Sequence, residues 1–263
     1  MTATEARLSS LDGALDDAEV GDSFSSDLFA VVDALESSAG LRRAVTDPGM
    51  PESGRAALVH GLLDGKVSVA VVDLVAEAAG RRWSGGRTFA AALERQAVRA
   101  ELLLADRQQQ LENTEDELFR FARVVEGSPG LRNALSDRAV PLPQRQDLVG
   151  ELLAGRSTST TLTLAKRAVA ARERTFAHTI EGFVTLAAAQ KSRVVATVRV
   201  AQPLEADQRD RLRAALSRQI GREVMIQEIV EPGVLGGIRV ELGDEVIEGT
   251  VSGRLEQARR LFG

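Results

Sequence analysis

The octapeptide GELLAGRS, residues 150 to 157, comes within one residue of the phosphate-cradling pattern G-x-x-x-x-G-K-[ST]. Gly150, Gly155 and Ser157 are in register, and Arg156 stands where the lysine belongs. Such a loop works through backbone N–H groups that converge on phosphate, and it needs a strand before it and a helix after it. Here the preceding residues, PLPQRQDLVGELLA, carry a helix-start signal at Pro143 and apolar positions Leu148, Val149, Leu152 and Leu153 at helical spacing. Gly155 therefore reads as a helix C-cap, with Arg156 beside the carbonyl end of the dipole, and no nucleotide site is expected.

The other residues that could do chemistry are sparse. His60 and His178 are the only histidines, and neither lies among carboxylates at ligand spacing. The carboxylate groups Asp16-Asp17 and Glu115-Asp116-Glu117 read as solvated helix faces rather than paired catalytic acids. There is no cysteine, so neither a disulfide framework nor a thiolate metal site can form; a reducing compartment fits. Trp83, the single tryptophan, sits in RRWSGG and is either a partly buried anchor or an interface residue. No catalytic residue, cofactor or metal is expected.

Bulk properties agree. A chain of 263 residues can hold two or three compact units, and an aromatic share of 3% with no tyrosine favours helices around small, closely packed cores. A formal charge of -5 argues against broad attraction to nucleic acid or anionic lipid. The N-terminal MTATEARLSSLDGALDDAEVGD has early acids and no continuous apolar run, so it is not expected to be a secretory signal. The most apolar stretch, VSVAVVDLVAEAAG, is broken by Asp73 and Glu77 and falls short of the ~20 apolar residues of a membrane span.

Sliding the sequence against itself reveals what positions these residues. At an offset of 90, residues 28–82 lie ungapped over 118–172 with 19 of 55 positions identical, among them Leu28, Phe29, Ser38, Gly40, Arg42, Asp47, Pro51, Arg55 and Gly65. In this register GELLAGRS faces HGLLDGKV, so the shared element is L-L-x-G-[KR] and the phosphate pattern does not recur. The chain thus contains one helical unit twice. In DLFAVVDALES the stripe is Leu28, Val31, Val32 and Leu35; in ELFRFARVVEG it is Leu118, Phe121, Val124 and Val125. Gly40 and Gly130 are expected to interrupt these helices, and Pro51 and Pro141 to open later ones. FAAALERQAVRAELLLADRQQQLENTEDELFRF lacks Gly and Pro, which predicts one long helix linking the bundles.

From about Lys191 the period changes. RVVATVRV alternates as a half-buried strand, LEADQRDRLRAALSRQIG reads as a helix stopped by Gly221, EVMIQEIV is a second strand, and GGIRVELGDEVI turns at Gly243-Asp244 into a short return strand. GTVSGRLEQARRLF closes the chain as a helix. The expected fold is mainly α with a small α+β C-terminal domain: two tandem helical bundles, 1–104 and 105–190, followed by a β-α-β-β-α unit, 191–263.

The segment EPGVLGGIRVELGDEVIEGTVSGRLEQARR resembles the C-terminal signature of the delta subunits of bacterial F-type ATP synthase, the family that includes the mitochondrial oligomycin-sensitivity-conferring protein. The matching residues are Gly236, Gly237, Gly243, Asp244, Val246, Ile247, Gly249, Gly253, Arg254 and Leu255; Glu248 stands where the family commonly has aspartate. The resemblance implies a long form with a duplicated helical domain. It also implies a non-catalytic stator role: clamping the catalytic alpha/beta head to the peripheral-stalk b subunits so that rotation drives ATP synthesis. The implied partners are N-terminal helices of alpha subunits and the b subunits, with no nucleic acid and no direct membrane insertion. The implied location is the cytoplasmic face of the bacterial cell membrane, peripheral through the ATP synthase complex, with a monomeric free subunit.

By that resemblance the second copy, next to the sheet domain, should grip the head, leaving the first for the stalk. Deletion of residues 1–104 should then spare alpha binding. Gly236 and Gly237 are expected to permit a tight bend or close backbone approach at the hairpin strand. Two rival readings stay open. One is a helical adaptor of another assembly. The other is a KH-like RNA-binding module built on GVLG, residues 233 to 236, although that clamp normally joins two helices in basic company.

Overall fold

The computed structural model describes residues 3–171, 175–191, 194–221, 224–231, 238–242 and 245–248. The chain divides into two compact units, Met1–Lys191 and Ser192–Gly263. The first is helical throughout, and the expected mainly α fold with a small α+β C-terminal part is what the structure has.

The helical unit displays the repeat directly. The first copy runs through α1 (Ala3–Asp17), α2 (Phe24–Ser37), α3 (Ala39–Val45), α4 (Glu52–Leu63), α5 (Val69–Gly80) and α6 (Gly86–Arg107). The second continues with α7 (Leu111–Gly127), α8 (Pro129–Ser136), α9 (Leu142–Leu153), α10 (Ser159–Ala170) and α11 (Phe176–Lys191). Both boundaries of α9 and of α10 lie 90 residues after those of α4 and α5.

Many of the identities between copies are structural. Ser38 and Ser128 are N-caps, their hydroxyls accepting from Leu41 N at 3.2 Å and Leu131 N at 3.3 Å. Arg42 donates to the end carbonyls of Leu35 and Glu36, and Arg132 to that of Glu126, so each arginine satisfies the C-terminus of the helix before it. Asp47 and Asp137 accept from the backbone N–H two residues on, at 2.8 and 2.9 Å. Arg55, 5% exposed, donates Nε to Ala79 O at 2.6 Å, and its twin Arg145 reaches Val169 O at 3.4 Å, so both tie the fourth helix of a copy to the end of the fifth. The expected interruption at Gly40 and Gly130 is corrected by these caps. Both glycines lie inside α3 and α8, and the chain turns at the serines, whose side chains offer the backbone an alternative partner.

The single long linking helix is also corrected. α6 stops at Arg107 and α7 begins at Leu111. Gln109 takes a left-handed φ of 57°, its N–H bonds Asp106 O at 2.9 Å, and the Gln110 N–H bonds Ala105 O at 2.8 Å. This is the Schellman closure, which normally carries glycine at the position of Gln109, so the sequence gives no sign of it. Gln109→Gly should remove the steric penalty of a Cβ in that conformation and raise stability by about 1 kcal/mol, read as a higher melting temperature. An unchanged or lower melting temperature would contradict the stop.

α6 serves both copies. Its start, Gly86, lies 90 residues before that of α11, and its end, Arg107, lies 90 residues after that of α1. Along its length it packs against α1, α2, α3 and α5 of the first copy and α7, α10 and α11 of the second. Leu93, Ala97, Val98, Ala100, Leu102 and Ala105 are fully buried. It is the last helix of one bundle and the first of the next. A matching bond marks each role: Arg99 of α6 donates to Asp16 of α1 at 2.9 Å, and Gln190 of α11 donates to Asp106 of α6 at 3.3 Å.

The C-terminal unit comprises β1 (Val194–Val200), α12 (Ala206–Ile220), β2 (Val224–Val230), β3 (Ile238–Leu242) and β4 (Glu245–Glu248). The sheet order is β2-β1-β3-β4, with β1 and β2 parallel and the other pairs antiparallel. Ala196, Val198, Val200, Val224, Ile226 and Val240 make one face, onto which α12 sets Leu216 with Leu212 and Ile220 beside it. α12 opens with Glu205, whose N–H is capped by Gln208 Oε1 at 3.0 Å, and closes at Gly221 with φ 71°. The expected closing helix GTVSGRLEQARRLF lies outside the described residues.

Candidate partner-binding surfaces

GELLAGRS is the end of a helix. α9 stops at Leu153, Gly155 follows with φ 66°, and Arg156 N bonds Leu153 O at 3.0 Å; its counterpart Gly65 has φ 72°. The N–H groups that a phosphate would need are inside α9 for residues 150–153. Arg156→Lys, which completes the motif's lysine, should give no ATP binding up to millimolar nucleotide by calorimetry; micromolar binding would overturn the helix-end reading.

His60 and His178 are exposed and pair along their own helices with Asp64 and Glu181, and among the described residues no cluster of three or more His, Asp or Glu side chains could hold a metal. Trp83 is a partly buried anchor: its Nε1 donates to Ala78 O at 2.7 Å and its ring meets Phe89 edge-on at 5.9 Å.

The carboxylates need correction. Asp16 is 7% exposed and bonds Arg99, and Asp12 one turn earlier takes Arg95, Gln96 and Arg99, so a buried ion cluster fastens α1 to α6. Burial pushes the Asp12 carboxyl up, but the hydrogen bond from Arg95, the charge of Arg99 and the hydrogen bond from Gln96 outweigh it and hold the group below its ordinary range. Glu117 is no solvated face either. It accepts from Thr158 N at 2.8 Å and Thr161 Oγ1 at 2.6 Å, capping α10 from α7. Asp27 does the same for α5 from α2, accepting from Ser68 N at 3.1 Å. Neither pair is identical between copies, which hid the shared device from the repeat alignment. Asp116 is solvated as expected, paired with Arg120 on the surface.

Where the copies meet, Arg167 of α10 is central. Its guanidinium holds Glu94 of α6 at 2.6 Å and Asp33 of α2 at 2.7 Å, and lies 4.7 Å from the Phe29 ring centre. Burial pulls this arginine down, but the Glu94 and Asp33 carboxylates hold it above its usual value. Arg167 stands 90 residues after Glu77, so the charge reversal between the copies at this position is not a contrast of two free surfaces, because Arg167 is an internal tie.

The first copy's matching position is open. A groove of about 500 Å³ between α1 and α5 has an apolar floor of Ala14, Ala18, Val69, Ala70 and Leu74, rimmed by Asp17, Glu19, Asp73 and Glu77. Val69 is 75% exposed. Of the ten matching residues given above, Val246 and Ile247 lie in β4, and the other eight, Gly236, Gly237, Gly243, Asp244, Gly249, Gly253, Arg254 and Leu255, lie outside the described residues, as does GVLG.

The described fold is a duplicated helical scaffold joined in sequence to a small mixed sheet. The sequence profile of the ATP synthase delta (OSCP) subunit family matches residues 95–262. The chain is 44% identical to the ATP synthase subunit delta of Kineococcus radiotolerans over 89% of its own length and 85% of that protein. With the same subunit of Beutenbergia cavernae it shares 45% identity over 92% and 91%, and with that of Cutibacterium acnes 38% over the full length of both. The chain belongs to the ATP synthase delta (OSCP) subunit family. The profile match begins inside α6, the helix shared by the copies.

Proposed function

We propose that the chain is a non-catalytic stator subunit that clamps the alpha/beta head of F-type ATP synthase to its peripheral-stalk b subunits. The observation that carries this reading is the family match, which spans the second helical copy and the sheet unit together. The work is mechanical, to hold partner helices in apolar grooves with slow dissociation under load, and it requires no catalytic group. Among the described residues no helix is long and apolar enough to cross a membrane, so attachment on the cytoplasmic face would run through the complex. The chain then acts as three modules: a first helical copy (1–104), a second (105–190) and the sheet unit (191–263), with α6 common to the first two. The signature glycines would shape the hairpin region of the last.

The second copy, where the family match begins, is assigned the head. One observation favours exchanging the roles: the α1/α5 groove of the first copy is open, whereas Arg167 of the second copy is tied to Asp33. Affinity isolation of the tagged chain from detergent-extracted membranes, with the full chain and with residues 93–263, tests both points. Alpha, beta and b subunits should accompany the full chain, and alpha should remain with the shorter one. Loss of alpha alone would move the head contact to the first copy. Recovery of RNA or an unrelated assembly would sink the reading.

A further inference from the structure

The duplication supplies an internal template for a surface that has no occupant within the described chain. Phe29 of α2 is 7% exposed because the second copy covers it, with Arg167 over its ring and pairing Asp33 one turn on. The identical residue of the second copy, Phe119 of α7, is 55% exposed, and Val124, expected on the buried stripe, is 59% exposed farther along the same helix. Position 33, where a carboxylate meets an arginine, is occupied in the second copy by Arg123, which among the described residues pairs along its own helix with Glu126 at the surface. Arg120, a turn before, likewise pairs among the described residues with Asp116 of the same helix. Exposed pairs of this kind contribute little and exchange readily for a partner's charge.

We propose that the outward face of α7, formed by Phe119, Val124 and Arg123, docks a helix of another subunit that presents carboxylates to Arg120 and Arg123. Phe29 shows the contact this face is built for: a side chain from a neighbouring helix laid over the ring, its charge opposite to that of residue 33. The second copy keeps the phenylalanine and reverses the charge, so the matching helix is acidic where α10 is basic. The proposal rests on the reading of the chain as part of a multisubunit stator.

The test is a photo-crosslink within the purified complex. With Phe119 replaced by p-benzoylphenylalanine, irradiation should join α7 to one other subunit, at a helical segment bearing Asp or Glu. Arg123→Glu, a change at an exposed position, should reduce the yield about tenfold through like-charge repulsion. Yield no higher than from the same group at exposed Asp207, yield unaffected by Arg123→Glu, or a crosslink to a second copy of this chain would each overturn the proposal. A complex that forms normally in those cases leaves the stator reading intact, whereas a chain that never enters the complex removes both.

Discussion

Arg99→Ala should be among the most destabilising single substitutions in the helical unit, at about 3–5 kcal/mol, because it breaks a buried charge cluster by removing one member. Arg99 is 5% exposed and reaches Asp12 at 2.8 Å and Asp16 at 2.9 Å; Asp12 keeps Arg95 and Gln96, while Asp16 loses its arginine in a site only 7% exposed. The Asp12 and Asp16 bonds fasten α1 to α6, so its amides should exchange with solvent far faster in the variant. Replacing Asp12, Asp16, Arg95, Gln96 and Arg99 together by apolar residues of similar size should cost much less, since no member of the cluster is left without its partner. A loss below 1 kcal/mol for Arg99→Ala would mean that α1 is held by Leu11 and Leu15 alone. The cluster also sets an acid limit. The folded Asp12 carboxyl lies below its ordinary value of 3.8, so its contribution is complete above that pH and is lost as pH falls through the lower folded value. Hydrogen exchange of α1 should accelerate in that acid window in the parent chain, and less so in the variant with the whole cluster made apolar.

The larger expected effect comes from where the chain is cut. A fragment of residues 93–263 keeps the part of α6 that opens the second copy and should unfold cooperatively. A fragment of residues 105–263 should not. It lacks Ala97, Val98, Ala100, Leu102 and Leu103, all buried, and leaves Arg167 without Glu94. Burying each such Val or Leu side chain contributes about 1.5–3 kcal/mol, so their joint loss rivals the roughly 5–15 kcal/mol that holds a domain folded. The deletion of residues 1–104 expected above to spare alpha binding would therefore fail for a structural reason unrelated to which copy touches the head. Far-ultraviolet circular dichroism on heating separates the outcomes, and a cooperative transition of 105–263 within a few degrees of that of 93–263 would show that α6 is not shared.

Much of this architecture was legible in the sequence because it rests on local signals that repeat. Leu28, Leu35 and Leu118 mark buried stripes by period, Gly65 and Gly155 mark left-handed helix ends, and the alternation of Ala196, Val198 and Val200 marks the inward face of the sheet. What stayed hidden depends on partners far away in sequence. Gln109 breaks a helix without glycine because Leu111 must turn back into the core, and Asp12, Asp16 and Glu117 look like solvated acids until α6 and α10 arrive beside them. The sharing of α6 was invisible for another reason: the α1 segment and its counterpart in α6 have diverged in sequence, and only their end points, Asp17 and Arg107, keep the offset. As for the site, the family resemblance lies in residues 236–255, whereas the α1/α5 groove and the exposed face of Phe119 carry no short motif.

The stator reading is tested most directly by ATP synthesis in membrane vesicles from which the chain has been removed. With an imposed proton gradient, depleted vesicles should make little ATP, because the head turns with the shaft, and adding back the purified full chain should restore synthesis. Undiminished synthesis in fully depleted vesicles would contradict the account.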